Sequence, residues 1–418
     1  MKKSVALITV VLAGFLQTAF AQYAGWQHSG SIYLLTTPDG ANLPATAVEE
    51  QCPVLVRLNR DFFDFRRTKA NGDDIRFSTA TGTPLAYQLD EWDAANGNAS
   101  IWVRIPVIRG NERQEIKLYW GKADAVSESS GHAVFNDANG YLSVWHMSDP
   151  VKDEVGTLVS KDTGTSSSAG MIGLGRYFGE GKGINCGENI TTYPSGSSPC
   201  TAEAWIKAGK ANTTVLAWGN EQAQGKAVMQ LASPPHIRMD CYFSGANVEG
   251  GSRISMSEWT HVVHAFKSGE SRLYVNGVLD GLSKSDGAPL NIRNPAKMWI
   301  GGWYNHFTFS GDIDEVRMSK VTRSPDWVKL QYENQKPLQT LVGTLVKSGN
   351  DFSVPATQIT VLEGKSANVS AKADGALKVY WILKRDGRET VVSTDRYSFT
   401  LDAGRVAGDT SFVLQFKA

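Results

Sequence analysis

None of the strings that mark common catalytic or nucleotide-binding sites occurs in these 418 residues. G-x-S-x-G, H-E-x-x-H and the Walker pattern are all missing, which removes the serine-hydrolase elbow, the zincin helix and the phosphate-cradling loop. Charge of one sign is missing too: lysine plus arginine and aspartate plus glutamate stand at 42 each, so no net field recruits nucleic acid or an anionic membrane. Beyond Gln22 no apolar run approaches the ~20 residues that a spanning helix needs. Cysteine is sparse, with Cys52, Cys186, Cys200 and Cys241 alone, and none has the C-x-x-C spacing of a zinc site.

What is present begins with Met1-Lys2-Lys3, an apolar run from Val5 to Phe20, and Ala19-Phe20-Ala21. Positive charge, a short apolar stretch and an A-x-A site predict a secretory signal over residues 1–21, cut before Gln22. The mature chain is therefore expected to be secreted, periplasmic or on the cell surface. Export permits disulfides. Cys186 and Cys200 flank a Gly, Ser and Pro loop and are the expected bridge, while Cys241, on the apolar face of Ile237, Met239 and Phe243, is expected as a buried free thiol.

From Trp26 to about Ala125 apolar residues alternate: Cys52, Val54, Val56 and Leu58; Ile101, Val103 and Ile105; Ile116, Leu118 and Trp120. Turn signals at Asn71-Gly72 and Thr81-Gly82 separate these runs, predicting an all-β module over 22–125. Further on, Trp259-Thr260-His261-Val262-Val263 and Arg272-Leu273-Tyr274-Val275-Asn276-Gly277-Val278 predict a hairpin, because Asn-Gly suits the positive φ of a two-residue turn. Ser324 and Pro325 mark a helix start, with Trp327, Leu330 and Gln331 at helical spacing, expected to close the central domain. From about Asp351 a new strand pattern runs through Ile359–Leu362, Ala367–Ala371, Val379–Leu383, Tyr397–Leu401 and Ser411–Phe416.

The tryptophan-led strand, "LYVNG", Ile300-Gly301-Gly302 and Gly311-Asp312-Ile313-Asp314-Glu315-Val316-Arg317, in that order, resemble the laminin-G-like, concanavalin-A-like jelly-roll family. Upstream, Gly72-Asp73-Asp74-Ile75-Arg76-Phe77, Glu91-Trp92-Asp93, Ile101-Trp102-Val103-Arg104 and Leu118-Tyr119-Trp120-Gly121 are similar to a bacterial family known as Domain of Unknown Function 2341. Together they imply an all-β chain of β-sandwich modules: the N-terminal one, a central jelly roll over 126–345, and an immunoglobulin-like segment over 351–418 centred on Trp381. Fold alone does not select a function among lectins, adhesion modules and glycan-cleaving enzymes.

Three kinds of site follow. Relatives of the jelly roll hold calcium on the rim through clustered carboxylates, which nominates Asp312 and Asp314 with Asp153 from the long loop. The competing reading of Asp312, Asp314 and Glu315 is structural: acids mixed with core residues imply a bulge, or an aspartate that satisfies backbone donors. A glycan surface needs rings for sugar C–H faces and amides for hydroxyls, which nominates Tyr304, Asn305 and His306, with Trp218 and Asn220 in a second loop; Trp303 is expected to pack inward. Sandwich-fold enzymes that cut β-glucans carry E-x-D-x-x-E on one strand, and no such string occurs. His261 and His264 fall on opposite faces of one strand. The expected function is thus an exported, non-enzymatic protein whose jelly roll recognises a glycan or surface polymer. The alternatives are a structural or adhesion component, a partner of another envelope protein in a MotA/TolQ/ExbB-type complex, and a glycan lyase or hydrolase with a dispersed site.

Overall fold

The computed structural model describes residues 23–156, 158–222, 225–241, 245–284, 289–303 and 306–418. The signal segment, Tyr304 and Asn305 lie outside the described residues. No helix of the described part is long and apolar enough to cross a membrane.

The chain is all-β, as its alternating patterns require. In the N-terminal module a four-stranded sheet, ordered His28–Leu35, Arg113–Trp120, Arg76–Thr79 and Pro84–Leu85, packs on a three-stranded one, Val48–Asn59, Asn98–Arg109 and Tyr87–Asp93. Val54 and Val56 alternate with Leu55 along the strand and are wholly buried, whereas Cys52, next to the left-handed Gln51, meets Gln331 of the later helix, with Gln331 Nε2 3.2 Å from its Sγ. Yet Leu55 and Trp102, on the opposite face of the same strands, are also wholly buried. Both faces of the three-stranded sheet are therefore covered.

The central module is a sandwich of an eight-stranded and a seven-stranded sheet. In the first, Gly311–Ser319, Cys200–Ala208, Trp259–Lys267, Glu270–Val275 and Val278–Lys284 follow one another. In the second the order is Val248–Glu249, Ile237–Asp240, Lys226–Leu231, Thr213–Gly219, Ala296–Ile300, Ile184–Ile190 and Lys161–Asp162. Ile206, Val262, Phe266 and Met318 from one sheet meet Trp218, Met229, Met298 and Ile300 from the other. Burying each such side chain is worth about 1.5–3 kcal/mol. The predicted hairpin closes at Asn276 and Gly277, whose φ angles of 50° and 78° are the two positive values this turn demands.

The predicted helix is Pro325–Gln335, capped by Ser324, whose Oγ accepts from the Trp327 N–H at 2.8 Å. It packs Val328 against Val263, Ala265 and Tyr274 on the outside of the eight-stranded sheet. Its other side meets the N-terminal module, where Trp327 and Leu330 join the cluster that contains Val54 and Trp102. The helix therefore joins two modules instead of only closing one.

Residues 341–346 then run beside His28–Leu35, with Leu35 N–H on Leu341 O at 2.7 Å and Val346 N–H on Ser31 O at 2.9 Å. In the last module a two-stranded sheet, Ser366–Ser370 with Ser398–Asp402, and a three-stranded sheet, Arg388–Thr394, Tyr380–Arg385 and Val413–Lys417, surround Trp381. The expected strand at Ile359–Leu362 does not form; both end residues are exposed, with no ladder partner among the described residues.

All four cysteines are free and buried. The expected Cys186–Cys200 bridge is absent: the two sit on strands of opposite sheets inside the core, and Cys186 donates to Ile184 O at 3.7 Å. Cys241 is the buried thiol its apolar neighbours predicted.

Candidate ligand-binding face and a buried ionic seam

A two-sheet sandwich has two outer faces, and in this chain they differ. Register defines the outer face of the seven-stranded sheet. Asn185 pairs with Lys161 and Trp299, Trp299 with Ala217, Ala217 with Val228, and Val228 with Asp240, so these residues form one rung. Beside it run Lys297, Gly219 and Lys226, and on the other flank Thr214, Gln230, Arg238 and Glu249. Trp303 packs on Trp299, Ala217 and Val228, with Lys226 Nζ 5.0 Å from its ring centre. Asn185, Lys226, Gln230, Arg238 and Lys297 are half-buried; Asn185 Nδ2 donates to Glu188 Oε1 at 2.8 Å and Arg238 pairs with Asp240 at 2.6 Å. Burial of its stem lowers the Lys226 pKa, against the pull of Glu221 and Asp240.

The nominated residues separate on this background. His306 is exposed and closes a turn with Trp303, its N–H on Trp303 O at 2.7 Å. Trp303 is buried as expected, but against the outer face and not in the core. Trp218 is a core residue with no exposed surface, its indole N–H on Pro194 O at 3.4 Å, so its nomination as a ligand contact is corrected. The strand Thr213–Gly219 is buried along its whole length, and a continuous apolar run does not say which side a ring takes. Asn220 shapes its own turn, its Oδ1 accepting from the Gln222 N–H at 3.1 Å.

The nominated calcium ligands are each committed elsewhere. Asp312 lies 3.7 Å from Lys207 Nζ. Asp153, buried, accepts from the N–H groups of Val144, Val155 and Leu158. Asp314 accepts from Ile172 and Glu315 N–H at 2.9 and 2.8 Å. Burial, helped by the neighbouring Glu315 charge, pushes its carboxyl well above the usual range. Carboxylates already engaged by backbone N–H groups and by Lys207 do not fit a calcium ion. They fit the bulge reading: between Glu203 and Trp205 the ladder to Gly311–Ser319 slips, and Glu315 takes φ 50°.

That bulge organises a set of residues which sequence reasoning missed. At it, the edge partner of Gly311–Ser319 changes from Leu174–Phe178 to Tyr141–Trp145. Glu315 and Arg317 both point away from the sandwich core. Arg317 Nη2 donates to Glu315 Oε2 at 2.5 Å and Nη1 to Gln331 Oε1 at 3.0 Å, with Glu203 Oε1 at 3.5 Å. Its guanidinium lies 4.5 Å from the Trp102 ring centre. His146 Nδ1 is 2.7 Å from Glu315 Oε1 and its Nε2 3.2 Å from Gln88 Oε1. Burial alone would lower the His146 pKa, but Glu315 and Asp90 carry it up to about 9. Burial raises Asp90 to about 7, against the pull of His146. Burial would likewise raise Glu315, and His146 and Arg317 hold it below its ordinary value. Asp90, His146 and Glu315 place ligand-type atoms within 4.8 Å of one another, yet a protonated imidazole and a guanidinium already neutralise the acids. Nearby, His261 Nε2 is 3.7 Å from Glu203 Oε2, while His264 points inward to Ser271 Oγ at 2.8 Å and burial holds it neutral, at about 3. The signal for this seam was the presence of Glu203 and Arg317 inside otherwise apolar strands, where an acid or a base stands only if paired.

Comparison with known proteins agrees with the order of modules. Residues 178–329 match the family described as the concanavalin A-like lectin/glucanases superfamily, and residues 71–146 match Domain of Unknown Function 2341. No curated protein matches the chain. Among solved structures, domain 4 of an extracellular arabinanase from Geobacillus stearothermophilus, in complex with arabinotriose, is 17% identical with a TM-score of 0.38, covering 46% of this chain and 97% of that one. The binding domain of Paraclostridial mosquitocidal protein 1 is 12% identical with a TM-score of 0.37, covering 52% and 58%. A Trypanosoma rangeli sialidase is 16% identical with a TM-score of 0.35, covering 46% and 33%.

Proposed function

We propose that this is an exported, non-enzymatic binding protein whose jelly roll takes a glycan or surface polymer on the outer face of its seven-stranded sheet. One observation carries the reading. That face carries Trp299 and Trp303, 7% and 5% exposed, on the outer side of the sheet with half-buried Lys226 and Gln230 beside them, while much of the opposite outer face is covered by the N-terminal module and the helix. Rings that meet sugar C–H faces and polar groups that meet hydroxyls are what a polyhydroxylated ligand requires. His306 stands at the edge of the same surface, and Tyr304 and Asn305 complete the proposed contact set.

Against catalysis stands the position of the perturbed acids. Asp314 and Glu315 are buried at the bulge, and the enclosed Asp90 Oδ2 is turned towards the same seam. A glycosidic bond cannot reach them, and glycoside cleavage needs its carboxylates at the substrate. The rival reading, an adhesion or envelope-complex component, draws on the rigid packing of module on module.

A glycan array run with calcium and with chelator tests the proposal and settles calcium dependence in the same experiment. Lys226→Ala with Gln230→Ala is expected to weaken binding about tenfold, through lost hydrogen bonds, without moving the melting temperature. Absence of signal on every sugar in both conditions refutes it, and co-purification with channel subunits would then favour the rival.

A further inference from the structure

The outer face of the eight-stranded sheet carries Tyr141, Val144, His146, Glu203, Trp205 and Arg317, and all of them are buried. What buries them is the rest of this chain. Tyr141 and Val144 belong to the apolar cluster of the N-terminal module, together with Leu55, Trp102 and Phe135, and not to the core of the sandwich that holds their strand. Trp102 stacks on His146 at 5.9 Å with 16° between ring planes.

Hydrogen bonds from the helix and the N-terminal module cross this contact. Asn334, on the helix, accepts from Leu55 N–H at 2.7 Å and donates to Leu55 O at 2.9 Å, pairing the free edge of Val48–Asn59 as a neighbouring strand would. Gln331 donates to Pro53 O at 3.1 Å. Arg57 donates to Asn334 O at 3.1 Å and Gln335 O at 2.6 Å, supplying the helix C-terminus with donors and positive charge from the other module. Gln335 Oε1 in turn accepts from the Trp205 indole at 2.7 Å.

From this we infer a role for the N-terminal module: it is a built-in docking partner for the jelly roll. Its three-stranded sheet and the Pro325–Gln335 helix occupy the outer face of the eight-stranded sheet and make the two modules one folding unit. Neither surface is suited to water alone. Without the jelly roll the N-terminal module would expose Leu55 and Trp102; without the module the jelly roll would expose Phe135, Tyr141, Val144 and Trp205 around an ionic cluster. The inference is independent of the ligand proposed for the other face.

Hydrogen exchange read by mass spectrometry on the full chain tests it. Leu118→Ala lies in the four-stranded sheet, between Gly30 and Phe77, on a strand that pairs only within the N-terminal module. If the modules unfold together, exchange in Cys200–Ala208 and Gly311–Ser319 speeds up by the same factor as in Arg113–Trp120, about tenfold or more. Faster exchange confined to the N-terminal module, with wild-type rates in those jelly-roll strands, overturns the inference. Leu118→Val makes the same comparison at smaller amplitude should the alanine variant not fold.

Discussion

Arg317→Ala is the sharpest perturbation the seam offers. The side chain is 1% exposed and serves Glu315, Gln331 and, more distantly, Glu203, while its guanidinium lies over Trp102 and Phe135. Truncation leaves Glu315 facing only His146 and Glu203 facing only His261, two buried carboxylates short of positive charge. Breaking a buried pair from one side costs about 3–5 kcal/mol, whereas replacing both partners by groups of similar shape can be nearly neutral. The expected result is thus a large fall in the urea midpoint followed by Trp fluorescence, to which Trp102 contributes. Arg317→Met with Glu315→Gln is expected to recover most of it, and the cycle reports the coupling. A single-variant cost below about 1 kcal/mol, the range of exposed pairs, would refute the reasoning.

Stability is expected to fall as pH rises from neutral to alkaline. Both His146 and Asp90 have folded pKa values above their unfolded ones, so each contribution is complete below the unfolded value and lost as pH passes the folded one. That window runs from 6.5 to about 9 for His146 and from 3.8 to about 7 for Asp90, so thermal melts at pH 6, 8 and 10 should decline in order. The four thiols should resist alkylation in the native protein and react fully in urea, because burial pushes each above its ordinary pKa. Asp395→Ala should cost about 3 kcal/mol, since Lys378 Nζ is buried 2.7 Å from its Oδ2; calorimetry checks this. Trp218→Ala should destabilise by about 3–5 kcal/mol while leaving glycan affinity unchanged in the folded fraction, separating it from Lys226.

The architecture was legible because its signals are local. Alternation at Val54, Val56 and Leu58, the Asn276-Gly277 turn and the Ser324-Pro325 helix start depend on near neighbours, and each formed where expected. Ile359–Leu362 failed because strand preference is completed by a partner, and none pairs with it among the described residues. The docking surface was half-written. Pro53-Val54-Leu55-Val56 and Ile101-Trp102-Val103 are continuous apolar runs, which in a half-exposed sheet would alternate with polar residues, and the apolar Leu55 and Trp102 mark a second buried face. What covers it is encoded more than 200 residues away in Asn334 and Gln331, beyond the reach of any periodicity.

The same limit explains the tryptophans. Trp218 and Trp299 both stand in strands buried along most of their length, so period-two reasoning cannot say which faces the core. Register does. Trp218 lies opposite Met298 and Ala227, residues of the sandwich interior, whereas Trp299 lies opposite Ala217, whose other neighbour is Val228 beneath Trp303. One step along a strand moves an indole from the sandwich core to the outer side of the sheet. A ligand reading built on aromatic content therefore selects residues correctly only once the rungs are known. Here they place Trp218 in the sandwich core and Trp299 and Trp303 together on the outer side of the seven-stranded sheet.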